Sequence, residues 1–322
     1  MTTTHALFLA EDLTLTLGQR EVEAATSGQA QIRIEFAGVC GSDLHVLRTG
    51  DWVSTWPAVL GHEIIGVVTE CPGGELGIGT RVVVDSRVPC DQCEGCESAA
   101  NLCENLAWVG EIVPGGYETH AVFPVTSLHP CPPELEPGIG VLAEPLAVAM
   151  HGVLRIHEPA DMALILGYGP IGALVHAEIQ RLWPECEVSV REPLAQRQSL
   201  AESFGADTHP QQGRWPLVID AAGYPTSLAD AVDLTVHGGS VLAIAIPHGP
   251  VTLDAQGLVE RSIALIGSVG FCDELPEAIS VLADNPERYR ALVTEAVLLE
   301  EAAERLTTMN TNPAAGKVVI RL

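Results

Sequence analysis

Four cysteines within fourteen residues, Cys90, Cys93, Cys96 and Cys103, are the densest concentration of metal-binding chemistry in the chain. Two consecutive C-x-x-C turns set three thiolates around one point, and the short excursion to Cys103 supplies a fourth. Four sulfur ligands would close a zinc tetrahedron and leave no open position, so such a site would hold a loop and carry out no reaction. A redox C-x-x-C pair would need only two of these cysteines. An iron–sulfur run of ferredoxin type would normally end in Cys-Pro, which is absent here.

A second set is dispersed. Cys40-Gly41-Ser42-Asp43-Leu44-His45 reads as a glycine-bearing loop after a strand, and Gly61-His62-Glu63 precedes another strand. A thiolate, an imidazole and a carboxylate make a zinc site that can keep one position open for substrate. Glu144 ranks as the best third protein ligand, with Glu63 either taking a turn as ligand or lying just behind the metal. Each residue alone has an ordinary structural reading, Cys40 as a buried thiol and His62 as a turn histidine. Their occurrence together carries the argument.

The third set is Gly167-Tyr168-Gly169-Pro170-Ile171-Gly172, which follows an apolar strand and opens a helix. The three glycines permit a tight turn, a close approach to a pyrophosphate, and packing of helix on strand. Unpaired N–H groups at the helix start then face the phosphates. Glu192 stands twenty residues beyond Gly172, where an acid would bind the adenosine ribose hydroxyls and repel a 2′-phosphate. That favours NAD. Arg191 and Arg197 flank Glu192 and keep NADP as the alternative.

These residues need elements to hold them. The first third is rich in short alternating segments, Ala30–Phe36, Ile64–Thr69, Arg81–Val84 and Glu118–Phe123, punctuated by Gly, Pro and Asp, which predicts a mostly β domain of twisted, bulged strands. From Glu144 the texture changes to helix Glu144–Ile156, and then strands alternate with helices as far as Ile266. That order predicts a doubly wound parallel sheet with helices on both faces. The tail returns to mixed elements and rejoins the first domain. The expected division is 1–143 with 286–322 for one domain and 144–285 for the other.

Bulk properties narrow the classes. A net charge of −26 argues against nucleic acid and anionic membranes as partners. No run of eighteen apolar residues appears, and Met-Thr-Thr-Thr-His lacks the layout of a signal peptide. Nine cysteines, an odd number, fit a reducing, cytoplasmic setting better than a disulfide scaffold. Lys317 is the only lysine and sits in what reads as a last strand.

Nearly end to end, the chain resembles the zinc-dependent medium-chain dehydrogenases/reductases of the alcohol and polyol dehydrogenase kind. The resemblance rests on Cys40–His45, Gly61-His62-Glu63, the four-cysteine lobe, Gly115-Gly116-Tyr117, Glu144-Pro145-Leu146, the glycine turn and Asp220-Ala221-Ala222-Gly223. It implies a GroES-like catalytic domain, a Rossmann cofactor domain and an active site in the cleft between them. It also implies two zinc ions per chain and a homodimer or homotetramer acting on a small-molecule alcohol or ketone.

In that family Cys40, His62 and the residue matching Glu144 surround the catalytic zinc, with Glu63 in or beside the ligand set. Ser42 and His45 match the proton relay, and Asp43 matches the carboxylate that orients the zinc-bound histidine. There are departures. Six residues separate Cys96 from Cys103 where the family commonly has seven, Gly270-Phe271 replaces an Arg-Tyr pair of polyol members, and Val46 replaces a Tyr. With Trp108 lining the same pocket, the substrate side is expected to be apolar, unless Glu111 or His120 enters it.

The expected reaction is interconversion of a secondary alcohol and a ketone with NAD(H). Polyol, aminocyclitol and threonine-type dehydrogenases of the same family are the near alternatives. A zinc-free quinone or enoyl reductase would lack the ligands at Cys40, His62 and Glu144. A non-catalytic binding protein would have no use for Ser42 and His45 beside a metal.

Overall fold

The computed structural model describes residues 1–247 and 249–322. They form two compact units, Met1–Glu144 with Leu275–Leu322, and Pro145–Glu274.

The first unit is mostly β. Its main sheet runs in the spatial order Leu128–Pro130, Arg81–Val84, Glu63–Glu70, Gln29–Gly38, Lys317–Arg321, Val293–Leu298, with His120–Pro124 also paired to Gln29–Gly38. Alternation along Gln29–Gly38 turns Ile32 and Ile34 into one core, where they meet Ile64, Val82 and Val84. The register between Gln29–Gly38 and Glu63–Glu70 slips twice, at Gln31/Ile32 and Ile34/Phe36. Such bulges bend a strand and re-aim its end. The end that results is the pair Gly38↔Glu63. An N-terminal hairpin, Thr2–Leu9 with Leu15–Val22, covers a second core that includes Leu7, Val39, Val46, Leu60 and Tyr117.

The second unit holds five parallel strands in the order Glu187–Arg191, Met162–Leu166, Trp215–Asp220, Thr235–Ala243, Ala264–Gly267, joined by helices. This is the parallel sheet that the alternating pattern predicts. Helix Pro170–Leu182 is the one foreseen after the glycine turn, with proline in its first turn, where a missing N–H costs nothing.

The return to the first unit falls at Leu275, not at 286. Helix Leu275–Asp284 buries Leu275, Ala278, Ile279 and Leu282, and it packs beside the short helices Pro137–Gly140 and Pro286–Arg290 of the first unit. By length and composition Pro137–Leu154 could cross a membrane, but 78% of it is buried inside the fold, as in a core helix.

Candidate active site and metal centres

Cys40 caps a helix. The segment read as a loop is helix Gly41–Thr49, with Cys40 at its N-cap and Gly50 ending it in the left-handed conformation. An acid three residues after the cap satisfies an orphan N–H at a helix start. Asp43 does this by accepting from Cys40 N at 2.8 Å. The same buried carboxylate accepts from Gly61 N at 3.2 Å and from the Tyr117 hydroxyl at 2.9 Å. One side chain therefore ties the Cys40 turn to the His62 turn. Its Oδ1 lies 3.8 Å from His62 Nδ1, so the contact that orients the histidine is electrostatic and not a direct hydrogen bond.

The donor atoms of Cys40, His62 and Glu63 lie within 4.8 Å of one another. Glu144, expected as the third ligand, is not in that trio. Its carboxylate accepts from Ser86 Oγ at 2.8 Å, and burial pushes its pKa up to about 7 against the pull of His62. Glu63 is fully buried. Its Oε1 pairs with Lys317 Nζ at 2.5 Å, while Oε2 has no hydrogen-bond partner. Gly38 makes room for it, since a side chain there would start 1.8 Å from Glu63 Oε2.

Burial works against charge on His62, yet Asp43, Cys40 and Glu144 hold its pKa well above the usual range. A thiol, an imidazole and an orphaned carboxylate oxygen, in surroundings that favour positive charge, match the donor chemistry of a zinc site with an open position. Ser42 and His45 lie one turn apart on the Cys40 helix. Ser42 is half-buried. His45 stacks on Trp52 at 4.4 Å, and its Nε2 lies 3.2 Å from Asp51.

The cysteine lobe also has the shape of a metal site. Tetrahedral zinc with bonds of about 2.3 Å separates its sulfurs by about 3.8 Å. Here Cys93 and Cys96 sulfurs are 3.5 Å apart and those of Cys90 and Cys96 are 3.9 Å apart. Backbone N–H groups of Cys90 and Asn105 point at Cys103 Sγ, and that of Glu104 at Cys93 Sγ, each at 3.3 Å. Such donors favour thiolate over thiol. The N–H of Gln92 and the Cys103 side chain bring the Cys90 pKa down to about 6.

In the second unit Gly167 takes φ +84° and Gly169 caps helix Pro170–Leu182, while Gly172 packs against the Gly167 carbonyl. Glu192, buried at the end of the neighbouring strand, accepts from Tyr168 N at 2.8 Å and from Leu194 N at 3.0 Å. Its carboxylate thus braces the glycine turn, and each oxygen keeps a further lone pair for a ligand. Arg197 reaches within 3.8 Å of Glu192 and sits over Gly169, whereas Arg191 lies across the Trp215 ring at 5.4 Å. Asp220 accepts from Ala222 N and Gly223 N, fixing the turn after the third strand.

Of the residues expected to line an apolar pocket, Val46 and Trp108 belong to the first unit and Gly270 and Phe271 to the second. Val46 faces the core with Val39 and Leu60, because its position on the Cys40 helix falls on the packed side. Phe271 is completely buried, and Gly270 beside it is buried too. Trp108 is half-buried, on a two-stranded ribbon with Arg87. His120 lies in a strand opposite Arg33. Burial pushes the pKa of Glu111 up to about 7, with His62 pulling it down.

Known proteins resemble this chain in sequence and in fold. Residues 26–133 match the alcohol dehydrogenase GroES-like domain. L-galactonate-5-dehydrogenase of Escherichia coli K12 is 30% identical over 285 residues, 83% of this chain and 84% of that protein. The structure of the alcohol dehydrogenase RspB of Escherichia coli CFT073, in complex with NADH, superposes over the full length of both chains with a TM-score of 0.90 at 23% identity. A protein of Sinorhizobium meliloti described as a zinc-binding dehydrogenase and bound to NADP does so with a TM-score of 0.89 at 26% identity. The GroES-like match, the identity to a curated dehydrogenase over most of both chains, and the five-stranded parallel sheet agree: this chain belongs to the zinc-type medium-chain dehydrogenase/reductase family.

Proposed function

We propose that the chain interconverts a secondary alcohol and a ketone, using one catalytic zinc, one structural zinc, and NAD in preference to NADP. The carrying observation is the trio Cys40, His62 and Glu63, with its orphaned carboxylate oxygen. When bound, zinc would polarise the alcohol oxygen and the nicotinamide would take the hydride.

The chain's own residues do the rest. Cys40, His62 and Glu63 would hold the metal, with Glu144 as a reserve carboxylate. Asp43 keeps the Cys40 and His62 turns together. Ser42, two residues from Cys40, receives the proton leaving the alcohol. His45, one turn further, carries it toward solvent, with Asp51 steadying the ring. A zinc-free reductase on the same fold would have no reason to bury the unpaired Glu63 oxygen.

Gly167, Gly169, Pro170, Ile171 and Gly172 would cradle the pyrophosphate, with Glu192 on the ribose and Arg197 above the turn. The family's mode of assembly supports a homodimer or homotetramer. Nine cysteines, all unpaired in the fold, support a reducing, cytoplasmic setting. Metal analysis, expected to give about two zinc per chain, combined with a secondary-alcohol panel followed by NADH and NADPH absorbance, tests the whole reading. Absence of zinc, or of turnover with every alcohol, would sink it.

Two consequences follow for single residues. Glu192→Ala removes charge-assisted hydrogen bonds worth roughly 1.5–3 kcal/mol, so the NAD/NADP ratio of kcat/KM should fall about tenfold or more. Both cofactors should bind less tightly, because the turn loses its brace. A wild-type enzyme that already prefers NADP would overturn the assignment. Cys93→Ala should release one zinc and destabilise the lobe, since structural zinc contributes folding free energy. The melting midpoint should fall by about 2–4 °C for each kcal/mol lost. Retention of both zinc ions with unchanged stability would refute the lobe assignment.

A further inference from the structure

Tyr168 stands second in the glycine turn, between Gly167 and Gly169, and its side chain is completely buried. It is held at both ends. Its backbone N–H donates to Glu192 Oε2 at 2.8 Å. Its hydroxyl shares a hydrogen bond of 2.8 Å with Nδ1 of His176, the tautomer of the ring deciding which of them donates. His176 is also completely buried, in the second turn of helix Pro170–Leu182, and the two rings meet edge to face with centroids 5.9 Å apart.

The contacts continue beyond the pair. The His176 ring lies 6.4 Å from that of Phe204, the residue that ends helix Ala195–Ser203. The Phe204 carbonyl accepts from Gln180 Nε2 at 2.9 Å, one turn further along the His176 helix. At the other end of helix Ala195–Ser203, Gln198 Nε2 donates to Glu192 O at 2.6 Å. A closed circuit results, from the glycine turn through His176 and Phe204 to Glu192 and back to the turn.

A phenol and an imidazole are costly to bury unless each satisfies the other. Phenylalanine and an aliphatic residue would fill the same space with no polar atom to satisfy. What the polar pair adds is direction. The hydroxyl fixes where the Tyr168 ring ends, the N–H on Glu192 fixes where its backbone begins, and the peptide units around Gly167 and Gly169 have little room to move. A turn already set in its binding shape loses less freedom when a ligand arrives, and so binds more tightly.

We infer that Tyr168 and His176 form a positioning pair for the cofactor, acting through the backbone of the glycine turn to keep it in the form that receives a dinucleotide pyrophosphate. This deepens the proposed function and rests on it. Neither residue belongs to the glycine pattern, so the pair is a feature of this chain's own packing.

The test compares zinc-loaded, full-length wild type with Tyr168→Phe, His176→Leu, His176→Asn and the double variant Tyr168→Phe/His176→Leu. Each is measured for NADH affinity by fluorescence titration, for kcat and the KM for NAD, and for its melting midpoint. Tyr168→Phe and His176→Leu should each weaken NADH about tenfold, the loss falling on the KM for NAD more than on kcat. His176→Asn, whose amide can take the place of Nδ1, should recover most of the affinity. Removing both polar partners leaves no buried group unsatisfied. The double variant should therefore regain the melting midpoint that either single change loses, while its NADH affinity stays low.

Single variants that bind NADH as tightly as wild type would overturn the inference, whatever their stability. So would a double variant whose NADH affinity returns together with its melting midpoint, which marks a merely structural role. A wild type that binds neither NADH nor NADPH is a separate failure, since it removes the nucleotide site and the proposed function along with the pair's role.

Discussion

Replacing Cys40 with alanine is expected to lower kcat/KM for any alcohol substrate by about a thousandfold or more while the protein stays folded. The first effect follows from the donor trio, which would be left with one imidazole and one carboxylate. Polarisation of a substrate oxygen by a metal is worth several kcal/mol, and each 1.36 kcal/mol is about tenfold in rate. Retention of the fold follows from the way the helix is capped. Asp43 accepts from the backbone N–H of Cys40, a bond that alanine keeps. Metal content should fall from about two zinc per chain toward one, with an unchanged circular dichroism spectrum. A variant that holds both metals and turns over normally would show that the centre was wrongly located.

The second large effect is on stability. Lys317→Met should destabilise the metal-stripped protein by about 3–5 kcal/mol, the usual cost of removing one partner from a buried ion pair. Lys317 is 2% exposed and donates to Glu63 Oε1 and to Val39 O. Burial works against its charge, yet Glu63, Cys40 and Glu144 hold its pKa above the ordinary lysine value. Without it, the buried Glu63 carboxylate loses the cation it pairs with. Zinc would supply the missing positive charge, so the loss measured in urea should be smaller for the metal-loaded protein. Equal losses in both forms would mean that Lys317 and the metal do not share Glu63.

The sequence spoke most plainly where the chemistry is local. The cysteine lobe and the glycine turn each lie within a span of fourteen residues or fewer, and their spacing alone implies their shape. The alternation of strands and helices through the second unit was equally readable. The Cys40 segment was misread as a loop because Gly and Ser open it. Cys40-x-x-Asp43 nevertheless carries an acid where a helix start wants one.

What could not be read is what distant parts bring together. Glu63 and Lys317 are 254 residues apart in the chain. No local pattern announces their pairing, and with Lys317 unplaced, Glu144 looked the better ligand. The direction of individual side chains was not legible either. Val46 and Phe271 were placed by resemblance, which aligns positions but does not say which way a side chain turns. Helical spacing sends Val46 toward the core.

Lys317 gives the molecule a further property. Apart from the N-terminus it is the only primary amine in the chain, and the folded protein encloses it. The other fifteen of the sixteen Lys and Arg side chains are arginines, which acylating reagents leave alone. An amine-directed label therefore finds one terminus in the native state, and reaches a second position only when strand Lys317–Arg321 leaves its place between Gln29–Gly38 and Val293–Leu298. The mass of one acyl group, gained over time, becomes a clock for the opening of that strand. Since Lys317 leans on Glu63, the same clock runs slower whenever the site beside it is held together.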